Sequence, residues 1–138
     1  ARDIGVDTVL DLQARLAAGE LLVIAGDRTS ATSVDKTESL PFLGSTAAFP
    51  QGAFTLASLM EAPVYFMFGL RVRDDKPLSA YDMHVYRSQT DFSGSRKERK
   101  QKIRSTIEEY IGHLERLSGE HPFQWYNFYD FWQTKQDR

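Results

Sequence analysis

Residues Gly26 to Val64, GDRTSATSVDKTESLPFLGSTAAFPQGAFTLASLMEAPV, lie between two apolar runs, and their reading decides how the rest of the chain is understood. The run before them, Leu21-Leu22-Val23-Ile24-Ala25, is apolar without alternation. That is the pattern of a strand covered on both faces, and Gly26 ends it. Thr29 to Thr37 is rich in Ser, Thr and Asp and reads as an exposed loop over the strand's carboxyl end. Thr37 to Leu43 predicts a short edge strand, because Pro41 cannot donate a hydrogen bond in a sheet centre. Phe49-Pro50-Gln51-Gly52 follows as a second loop. From Gln51 to Glu61 the positions Phe54, Leu56, Ala57, Leu59 and Met60 form a helical stripe, so a helix starts at that loop and presents free N–H groups there. Pro63 stops it, and Val64-Tyr65-Phe66-Met67-Phe68-Gly69-Leu70 predicts a second buried strand.

The flanks fit the same scheme. Val6, Val9, Leu10, Leu12, Leu16 and Ala17 approximate helical spacing, with Asp3 or Asp7 as a cap and Gly19 as the stop. Arg71 to Ser79, with Asp74-Asp75-Lys76-Pro77, reads as a turn. Tyr81 to Tyr86 then alternates, predicting a half-exposed strand hairpinned to its predecessor. Ser93-Gly94-Ser95 offers an N-cap to the clearest helical stripe of the chain, Ile103, Ile107, Tyr110, Ile111, Leu114 and Leu117, closed by Ser118-Gly119. Beyond Pro122, seven aromatics fall within the ten residues Phe123 to Trp132, a segment (122–133) expected to dock on the core, the alternative being an amphipathic patch at a membrane interface. These elements predict an α/β class with a mixed sheet flanked by helices, forming a single domain over residues 1–138. The chain opens directly into a helical pattern without an initial Met, which predicts a segment of a longer protein.

Composition narrows the functional classes. Of 138 residues, 41% are hydrophobic and 26% charged, which is a globular balance. Seventeen basic against nineteen acidic side chains give a net charge of −2 and argue against nucleic acid as a partner. The absence of cysteine removes disulfides, thiol nucleophiles and cysteine-ligated zinc, and fits a cytoplasmic address. No apolar run reaches the roughly 18 residues of a spanning helix, and no signal-peptide pattern opens the chain. The three histidines, His84, His113 and His121, have no metal-ligand spacing, so no metal site is expected. His113 falls on the surface or flank of the long helix. His84, with Asp82 on the same strand face, is the best general-base candidate, although a polar residue on an exposed sheet face is the plainer reading. No Gly-x-Ser-x-Gly elbow supports a serine hydrolase, and the Phe49–Gly52 loop lacks the glycines and lysine of a nucleotide P-loop.

Asp27 and Arg28 stand at the exit of the first predicted strand, where open α/β sheets place ligand groups. A carboxylate there can orient a hydroxyl or an imidazole, and a guanidinium can hold a phosphate or carboxylate; the alternative is a turn with a solvated ion pair. Arg96-Lys97-Glu98-Arg99-Lys100-Gln101-Lys102 puts five basic residues at the start of a helix, where the macrodipole disfavours each by a few tenths of a kcal/mol, roughly. An acidic partner protein or anionic lipid would account for that placement, as would a solvated helix face.

The order of segments is similar to a known family. The apolar run followed by Gly26-Asp27-Arg28, then Phe42-Leu43-Gly44, Phe49-Pro50-Gln51-Gly52, Leu56-Ala57 and Ala62-Pro63-Val64, resembles the C-terminal half of the lysophospholipid acyltransferase superfamily. Within it, the chain looks most like the lipid A late acyltransferase branch and its predicted relatives in aryl-polyene clusters, whose aromatic C-terminal segment the residues from Pro122 to Trp132 also resemble. The resemblance implies a partial acyltransferase-like domain. It also implies transfer of an acyl group from an acyl carrier protein or coenzyme A thioester to a lipid or glycolipid hydroxyl, with no cofactor and with peripheral contact on the inner membrane. By position, Asp27 and Arg28 would carry catalytic roles. Gly44, Phe49, Gln51 and Gly52 would bind substrate, with Gln51 in place of the family's acid disfavouring phosphate acceptors. From their own charge rather than from the resemblance, Arg96, Lys97, Arg99 and Lys100 are the residues expected to bind the partner. The family's general base lies in a His-x-x-x-x-Asp or Glu motif, and none of the three histidines here is followed by its acid. The base is therefore expected upstream in a parent protein, and this chain alone is expected to be inactive. A non-enzymatic module binding acyl carrier protein or lipid is the alternative, and a nucleotide binder a weaker one. Exposed apolar surface left by a partial domain predicts a homo-oligomer.

Overall fold

The computed structural model describes residues 6–28, 36–72, 80–127 and 131–132. Seven elements occupy them: α1 (Val6–Ala17), β1 (Thr37–Phe42), β2 (Ser45–Pro50), α2 (Gly52–Met60), β3 (Tyr65–Arg71), β4 (Tyr81–Arg87) and α3 (Arg96–Glu120). The predicted loop from Thr29, the turn across Asp74-Asp75-Lys76-Pro77, the cap at Asp3 and the aromatics Phe128 and Tyr129 lie outside the described residues. The protein is a small mixed α/β domain with two antiparallel two-stranded sheets, β1–β2 and β3–β4. The single mixed sheet expected from the sequence is replaced, among the described residues, by these two hairpins.

Leu43 and Gly44 form the two-residue turn between β1 and β2, both with positive φ (48° and 83°). That is the conformation whose twist matches the flanking strands, and Gly44 adopts it without the cost of a Cβ. Glu115 of α3 accepts a hydrogen bond from the Leu43 N–H at 2.7 Å, tying the turn to the helix. Phe49 and Pro50, expected in a loop, belong to β2 and pair with Glu38 and Thr37.

Helix α3 is the spine. Its residues Ile107, Ile111 and Leu114 share one core with Leu40 and Phe42 of β1, Ala47 and Phe49 of β2, Phe54 of α2 and Phe66 of β3. Ser95 starts the helix: the Glu98 carboxylate accepts hydrogen bonds from both the N–H and the hydroxyl of Ser95, at 2.8 and 2.7 Å. The predicted stop at Ser118-Gly119 is overrun by one residue, to Glu120. The aromatic segment docks as expected. Phe131 is buried, Trp125 packs against the core, and Phe42 meets Phe49, Trp125, Phe131 and Trp132 at ring-centroid distances of 5.1 to 6.1 Å. Trp132 Nε1 also donates to the Phe42 carbonyl at 3.3 Å.

Two strand expectations fail in informative ways. Leu21 to Ala25 forms no strand and is exposed, Leu21 at 90% and Val23 at 81%, because no described backbone lies beside it to complete a ladder. β3 is not buried on both faces. Phe66 and Phe68 face α3, whereas Tyr65 and Met67 are more than half exposed. On β4 the apolar set Tyr81, Met83 and Val85 is likewise outward, and His84 and Tyr86 turn toward the helix side.

The Phe42→Ala variant should lose about 3–5 kcal/mol of stability, because Phe42 is fully buried among four rings, while Leu21→Ala should stay within about 0.5 kcal/mol. Urea unfolding followed by tryptophan fluorescence reads both; a large loss for Leu21→Ala would restore the buried-strand reading.

Candidate functional site

A cleft of about 1190 Å³ separates the segment ending at Arg28 from β3. Its floor is apolar: Phe54 and Ala57 from α2, and Tyr110, Leu114 and Leu117 from α3. Residues 19–28 form one wall without interruption, and 62–70 form the other. The first wall is fixed near its end, where Gly26 lies against the Tyr110 ring; a Cβ there would come within 3.1 Å of the ring. Any larger residue at 26 would push the wall away from the helix.

Asp27 and Arg28 follow directly and line the same cleft. Arg28 Nε stands 3.4 Å from Asp27 Oδ1, with the Asp27 side chain mostly covered and Arg28 exposed. A pair this exposed adds at most about 1 kcal/mol to stability, so its interest lies in its position, a carboxylate and a guanidinium beside an apolar trough. His121, just past α3, lines the trough as well, with its N–H held by the Leu117 carbonyl at 2.9 Å. Sequence reasoning passed over His121 as a site residue. Its place at the end of α3's apolar stripe, after Leu114 and Leu117, was the available signal.

The other substrate-side residues expected from the sequence stand elsewhere, and none of them lines the cleft. Gly44 is in the hairpin turn, Phe49 is fully buried in the core, and Gly52 opens α2. Gln51 is used structurally. Its Nε2 donates to Glu38 at 2.6 Å, and Glu38 also accepts from Arg104 of α3 at 2.7 Å. The structure therefore brings Asp27 and Arg28 together and separates them from Gly44, Phe49, Gln51 and Gly52.

In the basic run, Arg99 Nη2 pairs with Glu61 at 3.0 Å, and Glu61 lines the cleft, so the first turns of α3 abut its rim. Lys102 donates to the Ser93 carbonyl. Arg96, Lys97 and Lys100 are exposed and make no ion pair among the described residues. Glu98 offsets the run locally, its carboxyl held below the usual range by hydrogen bonds from the Ser95 hydroxyl and N–H.

His84 does not pair with Asp82, which is exposed; its Nδ1 lies 3.3 Å from the Tyr86 hydroxyl. His113 lies half-buried on the flank of α3. It stacks on Tyr86 at 4.0 Å with rings 10° apart and packs beside Phe66 and Phe68. Burial, assisted by the positive charge of Arg116 and opposed by Glu109, holds its pKa below the ordinary histidine value. Among the described residues, no cluster of three or more acids and histidines could hold a metal ion, and no helix is long and apolar enough to cross a membrane.

Comparison with family models, curated proteins and solved structures found no match to this chain.

The depressed pKa of His113 has a pH consequence. The folded protein holds the neutral ring more readily than the unfolded chain does. Its contribution is complete above the unfolded value of about 6.5 and is lost as pH falls through that value toward the lower folded one. Urea midpoints of the parent chain should fall between about pH 7.5 and 5.5, where carboxylates with ordinary pKa values scarcely titrate, and His113→Gln should flatten that slope. An equal slope in both proteins would remove His113 as its source.

Proposed function

We infer that this chain is the substrate-side portion of an acyltransferase-like protein. Its role is to hold an acyl thioester and a lipid or glycolipid acceptor while a histidine outside this chain serves as general base. The observation that carries the reading is the pairing of an apolar cleft with Asp27 and Arg28 on its wall and a basic helix start at its rim. Acyl chains are apolar, and the Leu21–Ile24 wall and the α2–α3 floor give them surface. The hydroxyl and headgroup of an acceptor need polar partners, which Asp27 and Arg28 supply. A carrier protein rich in acidic side chains, or the phosphates of coenzyme A, would meet Arg96, Lys97 and Lys100, which make no ion pair among the described residues.

In the proposed reaction the external histidine takes the proton of the acceptor hydroxyl. The oxygen attacks the thioester carbonyl, the carbon–sulfur bond breaks, and the thiolate leaves and is protonated. Asp27 and Arg28 position the acceptor, a contribution of orientation rather than of proton transfer. The second reading, a module that binds acyl carrier protein or lipid without chemistry, shares the docking surface and differs only in the absence of turnover in the parent protein.

The test is binding of acyl-loaded acyl carrier protein by calorimetry at low and moderate salt. Affinity should fall as ionic strength rises past about 0.1 M, where the Debye length is about 10 Å, and the double change Lys97→Glu, Lys100→Glu should weaken it by about tenfold. Ala57→Trp, which fills the floor, should erase the preference for the acyl-loaded over the unloaded carrier. Binding indifferent to salt, to charge reversal and to the acyl chain would sink the proposal. Turnover by this chain alone that His121→Gln abolishes would show instead that it carries its own base.

A further inference from the structure

The wall of the cleft formed by β3 is a strand edge with unmet backbone groups. Ser88 donates to the Val64 carbonyl at 2.9 Å and Val72 to the Ala80 carbonyl at 2.8 Å. These bonds and the register from Tyr65↔Arg87 to Arg71↔Tyr81 fix which residues of β3 turn their N–H and C=O toward β4: Phe66, Phe68 and Leu70. The N–H and C=O of Tyr65, Met67, Gly69 and Arg71 therefore point the other way, into the cleft. At Arg71 this outward pair is already met in strand-like fashion. Its N–H donates to Gln124 Oε1 at 2.6 Å, and its carbonyl accepts from Gln124 Nε2 at 3.0 Å. Tyr65, Met67 and Gly69 have no such partner among the described residues.

We propose that this edge is a strand-addition site, which receives an extended polypeptide segment along Tyr65–Gly69, continuing the pairing that Gln124 completes at Arg71. The edge has none of the devices that keep strands from pairing: between Tyr65 and Leu70 there is no charge, no proline and no bulge. Hydrogen-bonding groups that need partners exclude a purely apolar occupant, since an acyl chain offers neither donor nor acceptor. The floor beneath the edge, Phe54, Ala57, Tyr110, Leu114 and Leu117, carries no charge, so alternate side chains of the incoming strand, those facing α3, must be uncharged and apolar. A second copy of this chain is a poorer fit. Its β3 brings β4 on one edge and α3 on one face, and the wall of residues 19–28 stands in the way of that bulk. The site shares the α2–α3 floor with the acyl-transfer reading but does not rest on that reading: it is defined by the cleft-facing backbone groups of β3, which an acyl chain has no donor or acceptor to meet.

The probe is a blocked seven-residue peptide alternating threonine and valine, titrated into the full chain while amide hydrogen exchange is followed residue by residue. Exchange at Met67 and Gly69 should slow by about tenfold or more on binding, while the amides of Phe66 and Phe68, already paired to β4, change little. The same peptide N-methylated at alternate amides, or carrying lysine at its central valine, should bind about tenfold more weakly or not at all. Met67→Pro removes the cleft-facing donor without touching the β4 ladder, and should weaken the peptide about tenfold while α3 keeps its exchange protection. Absence of selective protection, or equal binding of the N-methylated peptide, overturns the proposal. Protection of Met67 and Gly69 that rises with protein concentration without peptide would overturn it in favour of a second copy. A fatty acid that binds without slowing these amides would support the acyl-chain reading alone, so the two inferences fail separately.

Discussion

A two-stranded hairpin is marginal in water by itself, and this domain contains two of them. The constraint on which the fold rests is that one helix must cover both. α3 is 25 residues, about 37 Å at 1.5 Å per residue, long enough to reach both hairpins. Ile107, fully buried, sits where its apolar stripe meets Leu40 and Phe42 of β1, and Tyr110 carries the contact onward to Phe54, Phe66 and Phe68. The polar ties follow the same division. Glu115 holds the β1–β2 turn, Arg104 reaches Glu38, and Arg116 donates to the Tyr86 hydroxyl of β4 at 2.7 Å. Loss of the α3 stripe would leave neither sheet with a face to bury.

Covering two sheets with one helix leaves the far sides uncovered. β3 turns Phe66 and Phe68 toward α3 and leaves Tyr65 and Met67 outside, whereas β4 turns His84 and Tyr86 inward and leaves Tyr81, Met83 and Val85 outside, the reverse of what hydrophobicity alone would select. The inward choice is made by aromatic packing. Tyr86 stacks on His113, lies under the Arg116 guanidinium at 5.5 Å and tilts against Phe68, so its hydroxyl and its ring face are both used. The register puts Tyr65, Met67, Tyr81, Met83 and Val85 on one face of the β3–β4 sheet, so these exposed apolar side chains are neighbours rather than scattered.

Local pattern announced what is local. The 3.6-residue stripes of α1, α2 and α3, the proline-bearing edge strand β1 and the alternation of β4 were legible because each depends on neighbours a few residues away. The docking of the aromatic segment was legible from its density of rings. Partners distant in sequence were not legible. Leu21 to Ala25 reads as a buried strand because an unbroken apolar run reports a wish for burial and says nothing of what lies beside it. Gln51 reads as a loop residue at an acceptor site, yet its amide donates to Glu38, which also accepts from Arg104, 66 positions beyond Glu38. The placement of Asp27 and Arg28 on a cavity wall followed from their position after an apolar run, even though that run forms no strand. His121 does not read as a site residue because only its place after the apolar stripe of α3, and no motif, points to the cleft.

The charges at the head of α3 work against the helix that carries them. Five basic side chains in the first turns repel one another and oppose the helix dipole, and the structure offsets only part of this. Glu98 serves the helix start, Glu61 draws Arg99 to the cleft rim, and the Ser93 carbonyl takes Lys102. Each of these partners could have been supplied to Arg96, Lys97 or Lys100 by an acid one turn along the helix, as Glu108 serves Arg104 and Glu120 serves Arg116. The chain uses that device twice further along α3 and withholds it here. Among the described residues, Arg96, Lys97 and Lys100 make no ion pair, and the helix turns that carry them abut the rim of the cleft through the Arg99–Glu61 pair.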